Sequence, residues 1–113
     1  MYDYISIHYH DYTNKIRTDI LENYLTRSLG FTKVSHLRFT KEVIGEVVNL
    51  TGIHANLNGS YAFNTLEGIE EVNLIEIDVP RYTNDIIEKT ISEIAVQITK
   101  EFSWIIDEDH GLN

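Results

Sequence analysis

The stretch Val72-Asn73-Leu74-Ile75-Glu76-Ile77-Asp78-Val79-Pro80 decides the fold. It is the most hydrophobic strand-like run in the chain, and it puts apolar side chains on both faces. A strand buried on both sides belongs in the middle of a sheet. Pro80 has no N–H to give to a ladder, so it ends the strand. Just beyond it, Thr83, Asn84 and Asp85 are three helix-capping types in a row. The apolar series Ile87, Ile91, Ile94, Ile98, Phe102 and Ile105 then recurs every three or four residues. That spacing predicts an amphipathic helix of about 20 residues, ~30 Å long. Asp107-Glu108-Asp109 follows directly, at the negative end of the helix dipole. The residues after Trp104 are few and acidic, and predict no further strand.

Upstream, Tyr4 to His10 alternates: Ile5, Ile7 and Tyr9 face one way, and Tyr4, Ser6, His8 and His10 the other. Period two reads as a half-buried strand. Asp11 to Asn14 supplies turn and N-cap residues. Ile16, Ile20, Leu21, Tyr24, Leu25 and Leu29 then predict a helix of about four turns, with Gly30 as its left-handed cap. Val34 to Thr40 reads as a strand with Leu37 and Phe39 inward. A turn or bulge at Val43-Ile44-Gly45 precedes further strand at Val47 to Leu50, and Ile53, Ala55 and Leu57 continue the alternation. Asn58-Gly59 is the preferred two-residue type I′ turn, with Tyr61 and Phe63 on the return strand.

These elements predict a single α+β domain over residues 1–113. It is a two-layer sandwich: a mainly antiparallel sheet of four to five strands with two helices on one face, in the order β-α-β-β-(β)-β-α. The sheet is mixed if the first helix returns the chain beside the first strand, because that crossover makes a parallel pair.

Charge is unevenly divided. Residues 1–57 carry six acids and six bases, whereas residues 58–113 carry twelve acids and three bases, so the net charge of −9 sits in the second half. Such a field steers basic partners in and repels nucleic acid and anionic membrane. The sequence contains no cysteine, which excludes disulfides and thiolate chemistry and agrees with a reducing cytoplasm. The N-terminus is not signal-peptide-like and no run is long enough to span a membrane.

No nucleophile elbow, phosphate loop, His-Glu-x-x-His or dinucleotide fingerprint is present, so an enzyme is the less favoured reading and no cofactor is expected. Trp104 is expected as a core plug. His8 and His10, two apart on a strand, share a face, and with His36 they are a candidate metal set. Glu70, Glu71, Glu76, Asp78, Asp107, Glu108 and Asp109, with Tyr61 and Tyr82, are the candidate partner-binding residues, because tyrosine buries area at little entropic cost. In composition alone the chain resembles small acidic immunity and inhibitor proteins of microbes. The favoured expectation is therefore a cytoplasmic, non-enzymatic protein-binding module that neutralises or regulates a basic partner. The alternative is a homodimer with a small-ligand or metal site around His8, His10 and His36.

Overall fold

Only part of the Val72–Val79 run lies where its composition requires, because Asn73 splits it: Val72 joins a short strand of a second sheet and Leu74–Asp78 keeps the central place. In the computed structural model, which describes residues 4–107, Leu74–Asp78 is an inner strand with a neighbour on each side. In chain order the strands are β1 (Tyr4–His8), β2 (Ile16–Arg17), β3 (Thr32–Ser35), β4 (Arg38–Val43), β5 (Glu46–Ile53), β6 (Glu71–Val72), β7 (Leu74–Asp78) and β8 (Ile105–Asp107). Two helices join them: α1 (Thr18–Asn23), prolonged by a π turn at Tyr24–Ser28, and α2 (Asp85–Phe102). The main sheet has the order β3-β4-β5-β7-β1-β8, and β2 with β6 forms a second, two-stranded sheet. Every strand pairing is antiparallel. The crossover through α1 carries the chain to the far edge, not beside β1, so no parallel pair forms among the described residues.

Register sorts the side chains into two faces. Ile5, Ile77 and Leu50 align across three strands, as do Ile7 and Ile75. With Phe39 and Val48 they form the face that packs against Leu21 and Leu25 of the first helix and Ile87, Ile91, Ile94 and Ile98 of α2. Both helices therefore cover one face, which is the predicted α+β sandwich. Asn84 caps α2, its side chain accepting from the Ile87 N–H at 3.0 Å.

Four local expectations are corrected. First, α1 is shorter than four turns. Ile16 pairs with Val72 in an extended ladder, and the Thr18 N–H donates to the Glu70 carbonyl at 2.8 Å, so the chain stays extended until Thr18. Ile20 is exposed and no side chain caps the helix. Asp11 instead caps its own turn, accepting from Thr13 N–H and hydroxyl. Gly30 does take the left-handed conformation.

Second, Val34 to Thr40 is not one strand but a hairpin, turning at His36-Leu37 with Leu37 at φ 64°. Leu37 is fully buried, so core packing holds a turn that no Gly or Asn announces.

Third, the left-handed two-residue turn falls at Ile44-Gly45, where both φ values are positive (50° and 81°) and Val43 pairs with Glu46. Around Asn58-Gly59 only the glycine is left-handed, and Asn56 N–H donates to the Ser60 carbonyl. That is the longer hairpin loop with a glycine bulge. A Cβ on Gly59 would lie 2.8 Å from the Tyr12 hydroxyl, so the loop depends on the missing side chain. On the return side Tyr61 makes a single bridge to Ala55, and Phe63 lies beyond any strand.

Fourth, a strand does follow α2. Ser103 turns left-handed (φ 58°) and reverses the chain. Trp104 plugs the core at 4% exposure, and Ile105–Asp107 pairs with β1. Three residues suffice because Ile106 falls on the helix-covered face, aligned with Ile7, and Asp107 meets His8.

Candidate binding face

The second face of the sheet carries Tyr4, Ser6 and His8 from β1, Leu74, Glu76 and Asp78 from β7, and Thr51 and Ile53 from β5, in register across the strands. The sequence predicts it as an open polar surface, but one end is roofed. Tyr12, Ile53, Ala55 and Leu74 form a second small core there. Asn73, fully buried between β6 and β7, ties the roof down. Its amide Nδ2 donates to the carbonyls of Tyr12 and Ala55 at 3.0 Å each, and its Oδ1 accepts from the Ala55 N–H at 2.7 Å.

His8 lies under this roof and is buried, not exposed. Tyr12, itself left-handed at φ 63°, stacks on its ring at 4.0 Å. The ring contacts are Nδ1 to the Tyr9 carbonyl at 2.6 Å and Nε2 to Asp107 Oδ2 at 3.2 Å. Both partners are acceptors and both ring nitrogens are taken up by these contacts, so the ring presents neither edge to solvent. Ser6 completes a nominal Ser-His-Asp trio with His8 and Asp107, but its hydroxyl is fully buried and has no hydrogen-bond partner among the described residues. The grouping lacks an exposed nucleophile and a hydrogen bond between serine and histidine.

The candidate metal set is not assembled. His10 is exposed, beside Asp11 Oδ2 at 3.6 Å. His36 sits in the β3–β4 turn, with Nε2 donating to the Ile69 carbonyl at 2.7 Å. The sheet order puts three strand spacings, about 14 Å, between β4 and β1. Among the described residues no three His, Asp or Glu side chains are grouped to hold an ion.

Part of the acidic set does come together. Beside the roofed end, the segment 61–69 overhangs the sheet and encloses a groove of about 540 Å³. Glu76, Asp78, Thr51 and Arg38 are its sheet side, with Tyr61 and Phe63 on the overhang. The Tyr61 hydroxyl donates to Glu76 Oε1 at 2.7 Å. Although Tyr61 is largely exposed as a residue, partial burial, then this bond, pushes the phenol well above its ordinary range. Partial burial likewise raises the Asp78 carboxyl, although the residue as a whole is exposed, and Arg38 opposes the rise. Phe63 is met by His54 at 5.2 Å and 85°, and His54 Nδ1 faces the Glu71 carbonyl at 3.2 Å.

The other candidates are dispersed. Glu70 and Glu71 lie on the far side of the overhang, lining one hollow with His54, Phe63 and Glu67 and another beside Arg17 and Lys33. Asp107 serves His8, and Tyr82 stands 74% exposed after Pro80. Glu108 and Asp109 lie outside the described residues. Asp85, Glu88, Glu93 and Glu101 belong to α2 in the other layer, so the negative charge is spread over both layers. The sequence offers Arg38 as an anion contact and His54 as a possible third metal ligand; in the structure both line the groove instead. Sequence reasoning assigns no site role to Phe63 or Asn73, which sit in irregular segments whose course no periodicity reveals.

The fold is thus an α+β two-layer sandwich with one face of its sheet partly open. No protein-family model matches the chain, and no curated protein or solved structure matches it. No helix among the described residues is long and apolar enough to cross a membrane.

Proposed function

We propose that the chain is a non-enzymatic module that binds a basic protein on the open face of its sheet. One observation carries the reading: Tyr61 and Phe63 stand 58% and 55% exposed beside the Glu76 and Asp78 carboxylates. Large aromatic side chains left in water beside carboxylates have the make-up of an interface core with a charged rim. The net charge of −9 adds long-range attraction for a basic surface. The particular form we favour is an immunity- or inhibitor-type protein that covers a functional surface of its partner in the cytoplasm, a setting consistent with a cysteine-free chain.

Affinity capture from the native extract at low and high ionic strength tests this. A basic protein is retained at low salt and released at high salt. Glu76→Lys with Asp78→Lys abolishes its capture, whereas Glu88→Lys with Glu93→Lys on α2 leaves it. Retention that ignores salt, or equal loss in both variants, sinks the proposal.

A further inference from the structure

We infer that the groove between Phe63 and the Glu76–Asp78 pair receives an arginine side chain of the bound partner. The inference rests on the reading above and adds the chemical group that is recognised. Glu76 and Asp78 are two residues apart on β7, on the same face of the sheet, and both line the groove. A guanidinium is planar, presents a fork of N–H donors to carboxylates, and sheds water more readily than an ammonium. It also stacks on aromatic rings. Phe63 supplies such a ring on the overhang, held by its edge contact with His54.

Charge in the groove favours a cation. Its permanently charged lining is Glu67, Glu76 and Asp78 against Arg38 alone. The two histidines there are already engaged with backbone carbonyls, His36 with that of Ile69 and His54 with that of Glu71. Arg38 is an internal precedent, since its charge acts on Asp78. Its help is partial: burial still holds the Asp78 carboxyl above its usual range. A second guanidinium would relieve that cost. The groove's volume of about 540 Å³ accommodates one.

Calorimetric titration with two capped synthetic peptides tests the inference, one alternating arginine with glycine and the other lysine with glycine. The arginine peptide should bind about tenfold tighter, as one additional charge-assisted hydrogen bond provides. Glu76→Gln with Asp78→Asn should weaken it about tenfold, and Phe63→Ala about threefold, the scale of a cation–π contact. Glu88→Gln with Glu93→Gln, which removes the same charge from α2, should leave it unchanged. Unaltered thermal melting shows that each variant is folded, and Glu76→Gln keeps an oxygen acceptor for Tyr61. Equal affinity for the two peptides, equal loss in the groove and α2 variants, or no binding of either peptide overturns the inference. The wider reading then still stands or falls on capture of a basic partner.

Discussion

The two faces of the one sheet are packed by different means. On the helix-covered face Ile5, Ile7, Phe39, Val48, Leu50, Ile75 and Ile77 meet the isoleucines of α2. Stability there comes from apolar area and from shape, with little polar detail. On the other face the roof over His8 is held by Asn73, by a stacked Tyr12 in a left-handed conformation, and by a glycine whose missing side chain leaves room for Tyr12. Few apolar residues contribute. The first face is generic and tolerates substitution by volume. The second depends on particular atoms, and it adjoins the candidate binding groove. A layer held by a few specific bonds opens more easily than one held by area.

The largest effect should come from the generic face. Ile91→Ala empties a fully buried site on α2 and should cost about 4 kcal/mol by urea unfolding. Asn73→Ala leaves two carbonyls and one N–H without their side-chain partner and should cost about 3 kcal/mol. The two losses should differ in kind. Hydrogen exchange in the Asn73 variant should accelerate around Tyr12 and Ala55 while α2 stays protected. Uniform acceleration would show that the two faces unfold as one unit, and the contrast between them would fail.

That contrast also explains what the sequence revealed. The α2 stripe, the inner position of β7 and the stop at Pro80 were legible because they show, in turn, a repeated period, apolar side chains on both faces and a missing donor. Gly30 was legible because a helix end needs a left-handed residue. The β3–β4 turn was not, since Leu37 takes its left-handed conformation from the core and not from its own preference. β8 was hidden because Asp107 looks like solvated tail until His8 is known to face it. The roof was hidden for the same reason: His8 alternates like an exposed strand residue until Tyr12 is known to fold back over its ring. At the site, the sharing of one face by Glu76 and Asp78 followed from period two. The overhang bearing Tyr61 and Phe63 followed from nothing local.

A smaller effect, opposite in sign, is expected at the β4–β5 turn, away from both packed layers. Ile44 is 62% exposed and left-handed, a conformation that strains a β-branched residue and suits asparagine. Ile44→Asn should stabilise the protein by about 1 kcal/mol. An unchanged or lower urea midpoint would mean that Ile44 makes a contact worth more than its strain.

The smallest effect separates the faces by pH. Burial raises the phenols of Tyr61 on the open face and Tyr24 on the helix side. Tyr61 also donates to a carboxylate, whereas Tyr24 donates to the Gln97 carbonyl at 3.2 Å and feels the Glu101 carboxylate only through space. A phenol raised in the folded state keeps its proton after the unfolded chain has lost it. Its contribution is therefore fully present below the ordinary value of 10.0 and is lost as pH rises beyond it. Unfolding free energy should thus decline above that pH. Tyr61→Phe should flatten the decline more than Tyr24→Phe does, because ionising Tyr61 sets its oxyanion against the Glu76 carboxylate. Urea midpoints measured from neutral pH to about pH 11 decide the matter. Equal flattening by the two variants would mean that the direct Tyr61–Glu76 bond adds nothing beyond the burial and through-space charge that both phenols share, and that it does not hold the overhang above the groove.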